Sequence, residues 1–138
     1  MSARIATVTL VVPDYDAAIG FYCGALGFDL LEDTLLSQAK RWVRVAPKGG
    51  GTALLLARAD GAVQATAIGA QAGGRVAFFL ETDDFARDHK AFMSAGVEFL
   101  ETPRREAYGV VAVFADPFGN RWDLIQPGGG ESGQISGM

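Results

Sequence analysis

Apolar positions along this chain follow two rhythms, and the same succession of rhythms occurs twice. Residues 5–12 are rich in β-branched side chains (Ile5, Thr7, Val8, Thr9, Val11, Val12), which predicts a strand ended by Pro13. The period then lengthens. Tyr15, Ile19, Tyr22 and Leu26 are spaced 4, 3 and 4 residues apart, a single apolar stripe that predicts a helix over 14–26. Asp14 opens it, where a carboxylate can accept the free backbone N–H groups and meet the positive helix end. Gly27 closes it, able to take the left-handed conformation that stops a helix. A strand over 28–31 follows.

About 70 residues further on the order returns. A strand is expected over 76–80, then a helix over 84–95 opened by Asp84, striped by Phe85, His89 and Phe92 and closed by Gly96, then a strand over 97–100. Setting Asp14 on Asp84 places Tyr15 on Phe85, Ile19 on His89 and Tyr22 on Phe92.

The stretches between complete each copy. Residues 32–39 are polar and read as a loop. Arg41-Trp42-Val43-Arg44-Val45 alternates and reads as a half-buried strand. A turn over 47–51 leads to an apolar strand over 52–57, the two forming a hairpin. In the second copy the strands are 110–114 and 121–125, joined by the tight turn Asp116-Pro117-Phe118-Gly119-Asn120. Residues 58–74, rich in Ala and Gly, can bury little; they read as the crossing between copies, with a short helix possible over 62–70. Residues 128–138 read as a disordered tail.

The expected architecture is therefore α+β. Two βαβββ modules in tandem, 4–57 and 75–127 with linker 58–74, make one domain over 1–127. One helix covers one face of each four-stranded sheet and leaves the other open. Open faces can pair around a shared cleft within the chain or through a partner chain.

Composition narrows the function classes. With 138 residues, 49% apolar and 20% charged, the chain is an ordinary globular protein. No apolar run reaches membrane-spanning length, and no secretory signal is visible. The single Cys23 excludes an internal disulfide and fits a cytoplasmic setting. A net charge of −4 without Lys/Arg runs argues against nucleic acid. Gly49-Gly50-Gly51 lacks the Lys-Ser/Thr of a phosphate loop.

Several segments together resemble a known family. Val11-Val12-Pro13-Asp14, Phe21-Tyr22, Ala25-Leu26-Gly27-Phe28 and Ala95-Gly96-Val97-Glu98-Phe99 match in order and spacing. The closing Phe114-Ala115-Asp116-Pro117-Phe118-Gly119-Asn120-Arg121-Trp122-Asp123-Leu124 is similar to that family's F-x-D-P-x-G-N-x-x-E-L. The chain resembles the glyoxalase/bleomycin-resistance/extradiol-dioxygenase group, the vicinal oxygen chelate superfamily, over residues 4–127. The resemblance implies two βαβββ modules forming curved mixed sheets around a cavity, and a frequent homodimer. In many members it implies a divalent metal held by about four His, Glu or Gln side chains, acting as a Lewis acid on vicinal oxygens. Other members bind drugs without metal.

Carried onto this chain by motif offset, the four ligand positions are Thr7, Leu55, Ala77 and Asp123. Ala77 and Leu55 cannot coordinate, and Thr7 is a poor ligand for Zn, Ni or Fe(II). The usual metal site reads as lost, with no cofactor expected. The single histidine, His89, lies on a helix stripe and reads as half-buried packing. Asp123 alternates with Trp122 and Leu124, so it faces the open side, to accept a ligand hydrogen bond, to act as a base, to pair with Arg44, Arg75 or Arg121, or simply to be solvated at the sheet end. Trp42 and Trp122 occupy equivalent Arg-Trp positions and are expected as core beneath the helices, the alternative being a cavity wall. Phe79 shares the open face with Ala77. Tyr108 beside Gly109 is either a ligand donor or a loop anchor, and Cys23 reads as a small buried hydrophobe.

Three functions remain. The first is a metal-free binder holding an apolar or aromatic molecule against Thr7, Thr9, Leu55, Ala77, Phe79, Tyr108 and Asp123. The second is a lyase, isomerase or dioxygenase of the glyoxalase type, with Asp123 as the catalytic base or a noncanonical metal. The third is an association module without ligand.

Overall fold

The computed structural model describes residues 2–128; the tail expected over 128–138 lies, apart from Gly128, outside the described residues. The chain divides into two compact units, residues 1–71 and 72–138. The architecture is mixed α+β, with one sheet in each unit.

In unit 1 the sheet is built from β1 (Thr7–Val12), β2 (Asp29–Leu35), β3 (Arg41–Ala46) and β4 (Ala53–Arg58), ordered β1-β4-β3-β2. β1 and β4 pair parallel and the other neighbours antiparallel. Helix α1 (Tyr15–Ile19) runs straight into a π-helical stretch, Gly20–Ala25. Asp14 caps α1 as expected, its Oδ2 accepting the Ala17 N–H at 2.8 Å. The π stretch was not legible from the spacing. Its wider turn lets the Leu26 N–H reach the Phe21 carbonyl, five residues back, while Tyr22 is sealed completely. Gly27, at φ 75°, then releases the chain into Phe28, whose ring meets Tyr22 at 5.8 Å. The helix side of the sheet buries Leu10, Val12, Val43, Val45, Leu54 and Leu56.

One expectation fails here. Residues 32–39 read as a loop, yet Glu32–Leu35 continues β2 and pairs with Arg41–Arg44. Every residue of β2 is exposed, so no apolar alternation marked it. Cross-strand charge pairs mark it instead: Glu32 with Arg44 at 2.7 Å, and Asp33 with Arg41 at 2.8 Å.

The short helix expected over 62–70 is α2 (Gly61–Ala67). Gln71 ties the end of unit 1 back to β1, donating to the Thr9 carbonyl at 3.1 Å.

Unit 2 contains β5 (Val76–Glu81), α3 (Phe85–Ser94), β6 (Glu98–Phe99), β7 (Arg104–Glu106), β8 (Gly109–Ala115) and β9 (Arg121–Pro127). The strand order is β5-β9-β8-β6, with β7 also on β8. Asp84 caps α3 through the Arg87 N–H at 3.0 Å, as Asp14 does one repeat earlier. Helix α3 lays Phe85 and Phe92 onto a core of Phe114, Trp122 and Leu124. Trp122 stacks between Phe78 at 4.5 Å and Phe114 at 5.8 Å. His89 lies among Phe85 and Phe99, the packing role expected of it.

The strand expected over 97–100 shrinks to two residues, and β7 appears where none was expected. Between them the Glu101 carboxylate takes over the ladder, accepting the Val113 N–H at 2.8 Å. The edge strand is thus split around a side chain.

The closing turn explains its own sequence. Asp116 and Asn120 are both 3% exposed. Asp116 Oδ1 accepts the Phe118 and Asn120 N–H groups at 2.9 Å each, and its Oδ2 accepts the Asn120 amide at 2.7 Å. A buried carboxylate needs such saturation. The turn portion of the closing motif, Asp116 to Asn120, is therefore a fold device.

Candidate functional site

Each sheet has one face under its helix and one that its helix does not cover. Register assigns the side chains of that open face, because residues directly opposite in a ladder share a face.

In unit 1 a row runs across all four strands. Thr9 lies opposite Leu55, Leu55 opposite Arg44, and Arg44 opposite Glu32. Thr7 on β1 and Trp42 on β3 share this face by alternation. The row is polar at its far end. Arg44 Nη1 donates to Glu32 Oε1 at 2.7 Å and its Nε to Thr7 Oγ1 at 3.3 Å; the Trp42 indole donates to the same Glu32 oxygen at 3.1 Å. These bonds, Arg44 first, hold the Glu32 carboxyl below its usual range. Trp42 is therefore no core residue. It stands 38% exposed on the open face, correcting the expectation drawn from the Arg-Trp repeat. The reason is register: Val43 and Val45 take the helix side, and Trp122 keeps that role only in unit 2.

In unit 2 the matching row is Phe79 opposite Asp123, and Asp123 opposite Val113. Ala77, two residues before Phe79 on β5, is half-buried. Phe79 stands 66% exposed, while Asp123 is 7% exposed. Asp123 Oδ1 has no hydrogen-bond partner among the described residues. Among the described residues of unit 2, neither Arg75 nor Arg121 pairs with its Oδ1. Burial pushes the Asp123 carboxyl up, the Arg104 charge pulls it back, and the Glu101 charge adds to the rise.

Arg104 shares this face, lying opposite Val111. It is anchored by Glu101 at 3.0 Å, Glu106 at 2.5 Å and the Tyr108 hydroxyl at 3.3 Å. Tyr108 itself is exposed, and its carbonyl accepts the Gly128 N–H at 2.7 Å. It is tied into the loop, while its ring stays accessible. Arg44, Glu32, Glu101 and Arg104 were absent from the expected site. Alternation with Val43 would have placed Arg44; nothing in the sequence marks Glu101.

The four positions at which the family holds metal can be judged residue by residue. Leu55 and Ala77 carry no donor. The Thr7 hydroxyl is engaged by a guanidinium, a cation where a cation would have to bind. Only Asp123 offers a carboxylate oxygen. Among the described residues no three His, Cys, Asp or Glu side chains converge. This donor set does not fit the family's metal.

Cys23 is half-buried, and burial raises its thiol, which disfavours a nucleophilic role.

This pair of βαβββ-type units, with open sheet faces and the Asp116–Asn120 turn, belongs to a known class. The profile of the Glyoxalase/Bleomycin resistance protein/Dioxygenase superfamily matches residues 4–124, and the chain belongs to that superfamily. Within it, the chain is 52% identical over 128 residues to an uncharacterized protein of Shewanella frigidimarina (strain NCIMB 400), covering 91% of this chain and 95% of that one. Its fold is similar to that of UcmS2 (TM-score 0.78, 29% identity, 91% of this chain and 98% of that chain). It is also similar to TnmS3, an antibiotic binding protein from Streptomyces sp. CB03234 (TM-score 0.73, 31% identity, 91% and 97%). No helix among the described residues is long and apolar enough to cross a membrane.

Proposed function

We propose that this chain is a small-molecule-binding member of the superfamily that works without the usual divalent metal. One observation carries the reading: on unit 2 an exposed phenyl ring, Phe79, lies opposite a buried carboxylate with a free acceptor, Asp123. A planar apolar or aromatic ligand stacks on Phe79 and donates a hydroxyl or amide N–H to Asp123 Oδ1. That bond satisfies a group whose isolation costs free energy in the unbound protein. Ala77 leaves room beside the ring, and Tyr108 supplies a second aromatic edge. On unit 1, Thr7, Thr9 and Leu55 offer a comparable apolar face with two hydroxyls. The similarity to TnmS3, an antibiotic binding protein, supports this class of ligand. The chain acts in the cytoplasm as a homodimer in this reading, with no nucleic-acid or membrane partner.

The raised carboxyl of Asp123 favours a second reading, proton transfer during lyase or isomerase chemistry.

The test is titration of chelator-treated, 15N-labelled protein with 2-naphthol. Shifts at Phe79, Asp123 and Val113, lost in Phe79→Ala, support binding. Turnover of a bound substrate that vanishes in Asp123→Asn while binding persists would support the second reading. No perturbation on either open face would remove both.

A further inference from the structure

Unit 1 contains a cleft of about 540 Å³, within the range of small-molecule sites. It arises because β3 and β4 pair only at Arg44↔Leu55 and Val45↔Leu54; beyond that point the ladder stops. The Arg41 N–H, with no β4 partner, donates instead to the Tyr15 hydroxyl oxygen at 3.1 Å. Tyr15, Trp42, Leu55 and Ala57 supply apolar walls.

The charges of the lining are unequal. Lys40, Arg41 and Arg58 are set against Asp60 alone. Arg41 is spent, held by Asp16 at 3.0 Å and Asp33 at 2.8 Å. Lys40 and Arg58 have no ion pair among the described residues. The Arg58 guanidinium lies over the Tyr15 ring at 5.8 Å, which fixes its position. With Asp16 and Asp33 counted on Arg41 the cleft carries no net excess of positive charge, but its two unpaired cations, Lys40 and Arg58, are free to meet an anion.

We infer that this cleft takes a small aromatic carboxylate, its ring against Trp42 and its carboxylate on Arg58 and Lys40. The inference rests on the binding reading above and names the chemistry that unit 1 selects. Arg58 gives bidentate geometry, and Lys40 adds charge from the β2–β3 turn.

The probes are naphthalene-2-carboxylate and naphthalene-2-carboxamide, titrated into the 15N-labelled full chain at low salt. The carboxylate is expected to move the amides of Trp42, Ala57, Arg58 and Gln64. It should bind roughly fivefold tighter than the carboxamide, as expected for partly exposed ion pairs. High salt, and the double variant Lys40→Gln with Arg58→Gln, should abolish the preference while leaving carboxamide binding. Equal affinities, a preference surviving in the double variant, or no shift in unit 1 would overturn the inference. The binding reading is judged separately by 2-naphthol at Phe79 and Asp123, so failure of the one is told apart from failure of the other.

Discussion

Replacing Asp123 with Asn should stabilise this protein at neutral pH. In the folded state one carboxylate oxygen is buried with no partner among the described residues, and burial raises the group above its ordinary 3.8. A folded-state rise means that the ionised form is the disfavoured one. Below the unfolded value both states hold the proton, and no penalty exists. As pH climbs, the unfolded chain ionises first, and the penalty grows until it is complete above the folded value. An unsatisfied buried acceptor costs about 1–3 kcal/mol. The Arg104 charge offsets part of this and the Glu101 charge adds to it, so a net gain of about 1–2 kcal/mol is expected from Asp123→Asn at pH 7. For a chain of this size that corresponds to roughly 3–8 °C in Tm. Thermal melts of both proteins from pH 3 to 8, followed by circular dichroism, would show the gap. It should be widest at neutral pH and close toward pH 3. A variant less stable than the parent at pH 7, or a gap independent of pH, would refute the account of Asp123 as an isolated charge.

Other consequences are equally direct. Gly109 sits at φ 149°, and a Cβ there would meet the Gln126 carbonyl oxygen at 2.1 Å, so Gly109→Ala should cost roughly 3 kcal/mol or more, read by urea unfolding. Asn120→Ala removes a buried amide from the Asp116 knot and should cost about 1–3 kcal/mol by the same assay, although no ligand contact is involved. Asp14→Ala and Asp84→Ala should each cost about 1 kcal/mol, the near-equality reflecting the repeated cap.

Much of the fold was legible because it is repeated. Asp14 and Asp84, Tyr22 and Phe92, and Gly27 and Gly96 keep their roles in both units. What escaped the sequence had physical reasons. β2 buries nothing, so its strand character lies in charge pairs with a strand that must first be placed. The π stretch after α1 changes a hydrogen-bonding pattern without changing the apolar stripe. Trp42 broke the repeat because alternation along its own strand outranks analogy with Trp122. For the site, alternation placed Asp123 on the open face, and Phe79 joined it by alternation from Ala77, a position the family resemblance supplied. Glu101 and Arg104 did not, because Glu101 occupies the break between β6 and β7 and Arg104 opens the short β7 beyond it, an irregularity no periodicity announces.

The most direct test of the central claim is calorimetric titration of 2-naphthol into protein stripped with chelator, repeated with Ni, Zn, Mn or Fe(II) restored. Binding of equal strength with and without metal, weakened by Phe79→Ala and by Asp123→Asn, is the predicted result. Binding that appears only once a divalent metal is returned would contradict the account.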